Sequence, residues 1–309
     1  MPHRRTSAWI LLLALSAWAS PAHSQEPSVP AGIRSVDSAG RLTSKGAPRI
    51  ARGRKLAVVV HGINPDHADL DPLSRDLARR GYTVVRFVYD DSERLHRSAA
   101  RLRSALAQIQ RESRPGQLRV VAHSMGGLVA RRALTKDPLP SPPESPEASQ
   151  GRVLALAGPL TLVTIASPFG GFWPANLSRA DFGKGPPVFR DLGNWAKFIR
   201  KPGELASGVT HVKVETKEKG KRLSGKSDKS VRLRRQKQKT VDKGARVVYR
   251  VDRGHVGSIN QGGRVPEEIR SILTRAFRGR LPPKSKALPA AAKTRRGSSR
   301  GIVGRLGGR

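Results

Sequence analysis

The 309-residue sequence contains no cysteine. That excludes disulfide staples, thiolate metal centres, a cysteine nucleophile and a lipid-modified N-terminal cysteine, so stability must come from a packed core. Acidic residues are scarce beside basic ones, 23 Asp and Glu against 59 Lys and Arg, for a formal net charge of +36. Clustered Lys and Arg release counterions from phosphates, which raises nucleic-acid binding. Aromatic residues, however, make up only 5% of the chain, and no nucleic-acid module is recognisable, which argues against specific nucleic-acid recognition. Much of the charge lies in two stretches, 213–246 and the tail 278–309, and the tail holds no acidic residue. Both read as solvated segments outside the periodic core, suited to an anionic lipid or cell-wall surface.

Long apolar runs are also missing. The longest N-terminal one, Ala8 to Ala19, is shorter than the roughly 20 residues that span a bilayer. It follows Arg4 and Arg5 and precedes the small residues Ala22 and Ser24, the pattern of a signal peptide, here 1–24, cleaved after Ser24. The expectation is an exported protein, periplasmic or secreted.

After a polar leader, 25–54, hydrophobic patterning becomes regular. "KLAVVVHG" is a continuous β-branched run expected of a strand buried on both faces. "DPLSRDLARRG" reads as a helix with Asp71 as N-cap, Pro72 in its first turn and Leu70, Leu73 and Leu77 on one face. "YTVVRFVYD" is a second strand, and Leu95, Ala99, Leu102, Leu106 and Ile109 trace an amphipathic helix ending before Pro115. "QLRVVAHS" and "MGGLVARRAL" repeat the strand and helix, "LTLVTIASPFGG" is a fourth strand, "VTHVKVET" and "ARVVYRVD" are two more, and "VPEEIRSILTRAF" is a closing helix. Strands alternating with helices predict an α/β fold with a mostly parallel central sheet and helices on both faces. The catalytic domain is expected over 55–277, carrying a Pro-rich loop at 137–151, an aromatic segment at 172–208 that serves as a lid, an acyl-binding wall or simple packing, and the basic insertion 213–246.

The chemistry centres on "AHSMGG". A serine on a sharp strand-to-helix turn stands clear of the sheet, and the turn tolerates only small residues two positions either side; here these are Ala122 and Gly126. With "VVVHGI" on the first core strand and "TIASPFGG" at the fourth strand's end, the sequence resembles the α/β-hydrolase superfamily, and more narrowly secreted bacterial lipases and esterases, over about Lys55 to Phe277. Alanine at 122 replaces the more usual glycine, a one-methyl departure.

The resemblance implies an order of nucleophile, acid and histidine. Ser124 is the candidate nucleophile. Of the two histidines that follow it, His211 opens a strand, whereas His255 in "DRGHVGSIN" lies just past a strand's carboxyl end, where parallel-sheet sites gather; His255 is the candidate base. Family position puts the acid after "HVKVET", among Glu215, Glu218, Asp228 and Asp242. Asp228 in "SDKSV" is the first choice, with Asp242 and Glu215 next, and Asp252 stands too near His255. By the same resemblance the backbone amides of Met125 and Ile63 would form the oxyanion hole, with His61 and His123 mainly structural. No metal-ligand spacing is matched, and no cofactor is implied. These features imply hydrolysis of a small-molecule or lipid ester through an acyl-enzyme. An acyltransferase on the same fold, or an inactive member binding anionic surfaces through its basic segments, are the alternatives.

Overall fold

A computed structural model describes residues 32–43, 48, 50–63, 67–139, 158–172, 175, 185–217, 231–282 and 288–289. Eight strands form one sheet in the order β1-β3-β2-β4-β5-β6-β7-β8. The β-branched runs supply its parallel centre: β2 (Lys55–Val60), β3 (Thr83–Val88), β4 (Gln117–His123), β5 (Leu160–Ile165), β6 (Val209–Thr216) and β7 (Val247–Val251). The predicted mostly parallel α/β architecture is what the chain adopts.

Strand periodicity assigns each buried side chain to a face. Val58, Val60, Val120, Ala122 and Leu162 point into one core layer, closed by α2 (Leu95–Glu112) and α3 (Met125–Ala133). Ala57, Val59, Val121, Val163, Val212 and Val214 point into the other, closed by α1 (Asp71–Arg79) and the last helix, Glu267–Phe277. Among the described residues four short helices decorate the carboxyl half: α4 (Phe189–Leu192), α5 (Lys197–Arg200), α6 (Leu233–Gln236) and α7 (Lys239–Gly244), which makes the closing helix α8.

Both sheet edges come from segments expected to lie outside the domain. β1 (Gly32–Ser35), from the polar leader, pairs antiparallel with β3, and β8 (Leu288–Pro289), from the basic tail, pairs parallel with β7. A four-residue and a two-residue strand carry too little alternation to stand out in the sequence. The ends of the basic insertion also belong to the fold: 213–216 is the buried second half of β6, and 231–246 contains α6 and α7.

Asp71 is not an N-cap. A 3-10 turn, His67–Leu70, leads directly into α1, so the capping position falls to Leu70. The Asp71 carboxylate instead accepts a 2.6 Å hydrogen bond from Arg86, whose buried guanidinium also donates to Ser74 Oγ, His67 O and Gly40 O. A buried cation requires such a complete set of acceptors. Burial still pulls the Arg86 pKa down, with Asp71 opposing the shift.

Candidate active site

The turn between β4 and α3 has the geometry that its small residues predict. Ser124 sits at φ 54°, ψ −130°, a region costing on the order of 1–3 kcal/mol for a residue with a Cβ. Its amide donates to Ile165 O at 2.9 Å, and its carbonyl accepts from Gly127 N at 3.0 Å, which holds the turn from both sides. Gly126 lies so close to the end of β2 that a side chain there would overlap the His61 carbonyl oxygen. A Cβ on Gly62 would fall 2.8 Å from Ser124 Cβ. Two stretches that sequence alone separates, "HG" and "SMGG", are thus in direct apposition.

His255 comes to Ser124 from the carboxyl end of β7. Its Nε2 lies 2.9 Å from Ser124 Oγ, within the range for proton transfer between a hydroxyl and a base. The backbone of His255 is itself clamped, because its carbonyl accepts from Ser258 Oγ at 2.6 Å and from His123 Nε2 at 3.1 Å. The His123 ring, centred 4.6 Å from that of His255, is buried, and desolvation pushes its pKa well down. It is therefore held neutral, with its proton on Nε2, where the bond to His255 needs it. Neither contact of the His255 carbonyl was legible in the sequence. Only the adjacency of His123 to Ser124 hinted at one of them.

His61 is structural, as expected, but its role is specific. Nδ1–H donates to Gly62 O at 2.8 Å, while Nε2 accepts from the Tyr89 amide at 3.1 Å. The ring stacks on Tyr89 at 4.2 Å, and burial lowers its pKa to about 4. In a trans peptide the carbonyl and the next amide point in opposite directions. Fixing the Gly62 carbonyl toward His61 therefore fixes the direction of the Ile63 N–H. Met125 is the first residue of α3, so its amide lies in the first turn, which intrahelical bonding leaves open. Met125 directly follows Ser124, and Ile63 follows Gly62, which lies against the Ser124 side chain.

The acid candidates divide. Glu215 and Asp242 both bind Lys213 Nζ, at 2.9 and 2.5 Å, and Glu215 also takes Arg250 at 2.9 Å. Lys213 and Glu215 are fully buried on β6, with Phe169 facing the ammonium at 5.7 Å. The carboxylates of Glu215 and Asp242 are thus committed to the ion cluster around Lys213. Asp228 and Glu218 lie outside the described residues. His211, the other histidine after Ser124, is buried on β6 and contacts Thr164 Oγ1 at 2.9 Å, and burial drives its pKa down.

Of the aromatic segment, most of the described apolar residues pack on the core, while Trp195 is exposed. Val188, Phe189, Leu192, Ala196 and Ile199 join the α2–α3 layer, and the buried Asp191 carboxylate accepts from the Leu95 amide and the Arg94 guanidinium. Trp173 and Phe182 lie outside the described residues. No group of His, Asp or Glu able to hold a metal occurs among the described residues, and no helix among them is long and apolar enough to cross a membrane.

This arrangement, a strand-to-helix serine at the carboxyl edge of a mostly parallel sheet with a histidine arriving from a later strand, is the α/β-hydrolase fold. A family model described as "Putative serine esterase (DUF676)" matches residues 51–183, a span that includes Ser124 and ends before His255. Similar solved structures include the mature form of Bacillus licheniformis lipase BlEst2, with 15% identity, 57% of this chain and 71% of that one covered, and a TM-score of 0.40. The lin2722 gene product of Listeria innocua has 12% identity, coverage of 76% and 98%, and a TM-score of 0.48. The Pyrococcus furiosus esterase Pf2001 has 15% identity, coverage of 74% and 82%, and a TM-score of 0.47. No curated protein matches the sequence.

Proposed function

We propose that the protein is an exported serine hydrolase that cleaves carboxylic esters, lipid esters among them. The observation that carries the reading is the 2.9 Å approach of His255 Nε2 to Ser124 Oγ, on a serine whose backbone is held at positive φ. A serine hydroxyl is a weak nucleophile until a base removes its proton. In this reading His255 takes that proton as Oγ attacks the ester carbonyl. The oxygen of the tetrahedral adduct is then received by the amides of Met125 and Ile63. His255 returns the proton to the leaving alcohol, and water, activated by the same imidazole, releases the acid from Ser124.

Asp228 is the proposed orienting acid, because the ion cluster on β6 already occupies Glu215 and Asp242. The clamp on the His255 carbonyl supplies the remaining alignment. The test is turnover of a soluble p-nitrophenyl ester by the Ser124→Ala chain. Activity falls to background while the circular dichroism spectrum is unchanged, and turnover that survives the substitution refutes the reading.

A further inference from the structure

The turn that follows β5 leaves the sheet beside Ser124, since the Ser124 amide bonds Ile165 O and a side chain on Gly127 of α3 would strike Ser167. Two surface segments grip it. On one side the Gly170 amide donates to Arg235 O at 2.6 Å, and a Cβ on Gly170 would lie 2.7 Å from Lys237 O and 3.3 Å from Arg234 O. On the other, Phe172 N–H donates to Leu192 O at 2.7 Å, and a Cβ on Gly171 would lie 2.6 Å from Asn194 Cα. The rim of the candidate active site is thereby joined to α6 and its neighbours and to the residue preceding Trp195.

What these segments display is opposite to what they bury. Trp195 is 68% exposed, while Leu192, Ala196 and Ile199 around it anchor the loop in the core. Arg232, Arg234, Lys237 and Lys239 are exposed and Arg235 is half-buried. Among the described residues none of these five cations has a carboxylate partner, and the nearby Asp242 is turned inward to Lys213. The crowding is felt within the group, because partial burial and then repulsion from Arg234 and Arg232 lower the Arg235 pKa. Ile63, the other exposed large apolar side chain among the described residues, follows Gly62, which lies against the same serine.

We propose that this rim, with Trp195 as its apolar anchor and Arg232, Arg234, Arg235 and Lys237 as its charge, docks the protein on an anionic phospholipid bilayer. The proposal rests on the ester-hydrolase reading only in giving the docked site a substrate. Charge alone fits any polyanion, but an indole held out in water gains little from a soluble one, whereas at a lipid interface its apolar body and N–H are both accommodated. Cations near an anionic leaflet add to one another in attachment, and four stand together on this rim.

The test uses the full chain and vesicles of phosphatidylcholine with or without phosphatidylglycerol. Co-sedimentation with the anionic vesicles weakens at least about tenfold in the Arg232→Gln, Arg234→Gln, Arg235→Gln, Lys237→Gln chain, while its soluble-ester turnover is unchanged. Ser124→Ala binds vesicles like the unaltered chain, so docking can stand when hydrolysis fails. With Trp9, Trp18 and Trp173 replaced by Phe, brominated lipid quenches Trp195 fluorescence. Undiminished binding of the quadruple variant, loss of binding on deletion of 283–309 alone, or an unquenched Trp195 with equal capture by DNA would each overturn the proposal.

Discussion

β4 and β6 flank β5, run parallel to it and deliver their carboxyl ends to one edge of the sheet, yet they fill the same core layer with opposite chemistry. β4 turns Leu118, Val120 and Ala122 toward α3, whereas β6 turns His211, Lys213 and Glu215 to the same face, His211 in register with Val120 and Lys213 with Ala122 across β5, all buried. Apolar packing seats this face of β4, and backbone hydrogen bonds hold the turn at its end. On β6 every buried charge needs a partner, and the partners, Asp242 and Arg250, lie 29 and 35 residues along the chain from the groups they bind. In this core layer one half of the sheet is positioned by contact and the other by pairing. Ser124 follows β4, and β6 leads toward the segment that carries α6.

The largest contrast is in function. His255→Gln leaves both halves folded but lowers kcat for a soluble ester by about 10⁴-fold, checked by steady-state kinetics beside a thermal melt. A loss of less than about tenfold would separate the imidazole from the reaction. Next comes stability on the pairing side. Glu215→Leu leaves the buried Lys213 with Asp242 alone and takes the carboxylate from Arg250, and costs up to about 3–5 kcal/mol in denaturant unfolding. Val120→Ala on the packing side removes two methyl groups and costs less. Equal losses would erase the distinction between the two strands.

A smaller effect follows pH. His61 is neutral in the fold, its pKa lowered from 6.5 to about 4 by burial, so between those values the unfolded chain binds the extra proton. Its contribution is full above pH 6.5 and declines as pH falls toward 4, by on the order of 3 kcal/mol. Urea midpoints measured across that window fall more steeply for the unaltered chain than for His61→Gln, and parallel curves contradict the assignment. The smallest effect concerns the clamp. His123→Phe keeps the packing but loses the bond to the His255 carbonyl, lowering kcat about tenfold with KM little changed, and His123→Gln, which restores a donor, recovers part of the loss. A change confined to KM would make His123 a packing residue only.

The packing half was legible because hydrophobic periodicity is local. The runs at 55–60 and 117–123 announce buried strands, and small residues around Ser124 announce the turn, whose reason is the approach of Gly126 to the His61 carbonyl and of Gly62 to Ser124. On the pairing half the strands at 209–216 and 247–251 were legible too, but their buried charges were not, because Lys213 and Glu215 look like surface residues until Asp242 and Arg250 are brought to them. For the same reason Glu215 and Asp242 stood open as acids, and Asp71 read as a cap rather than as the partner of Arg86. β1 and β8 are too short to carry a pattern and are defined by the strands they join.

The most direct measurement is labelling of the full chain with a fluorophosphonate, which reacts only with an activated serine, followed by peptide mapping. The account predicts a single adduct on Ser124 that is lost in His255→Gln. An adduct on another serine, or undiminished labelling of Ser124 without the imidazole, contradicts it.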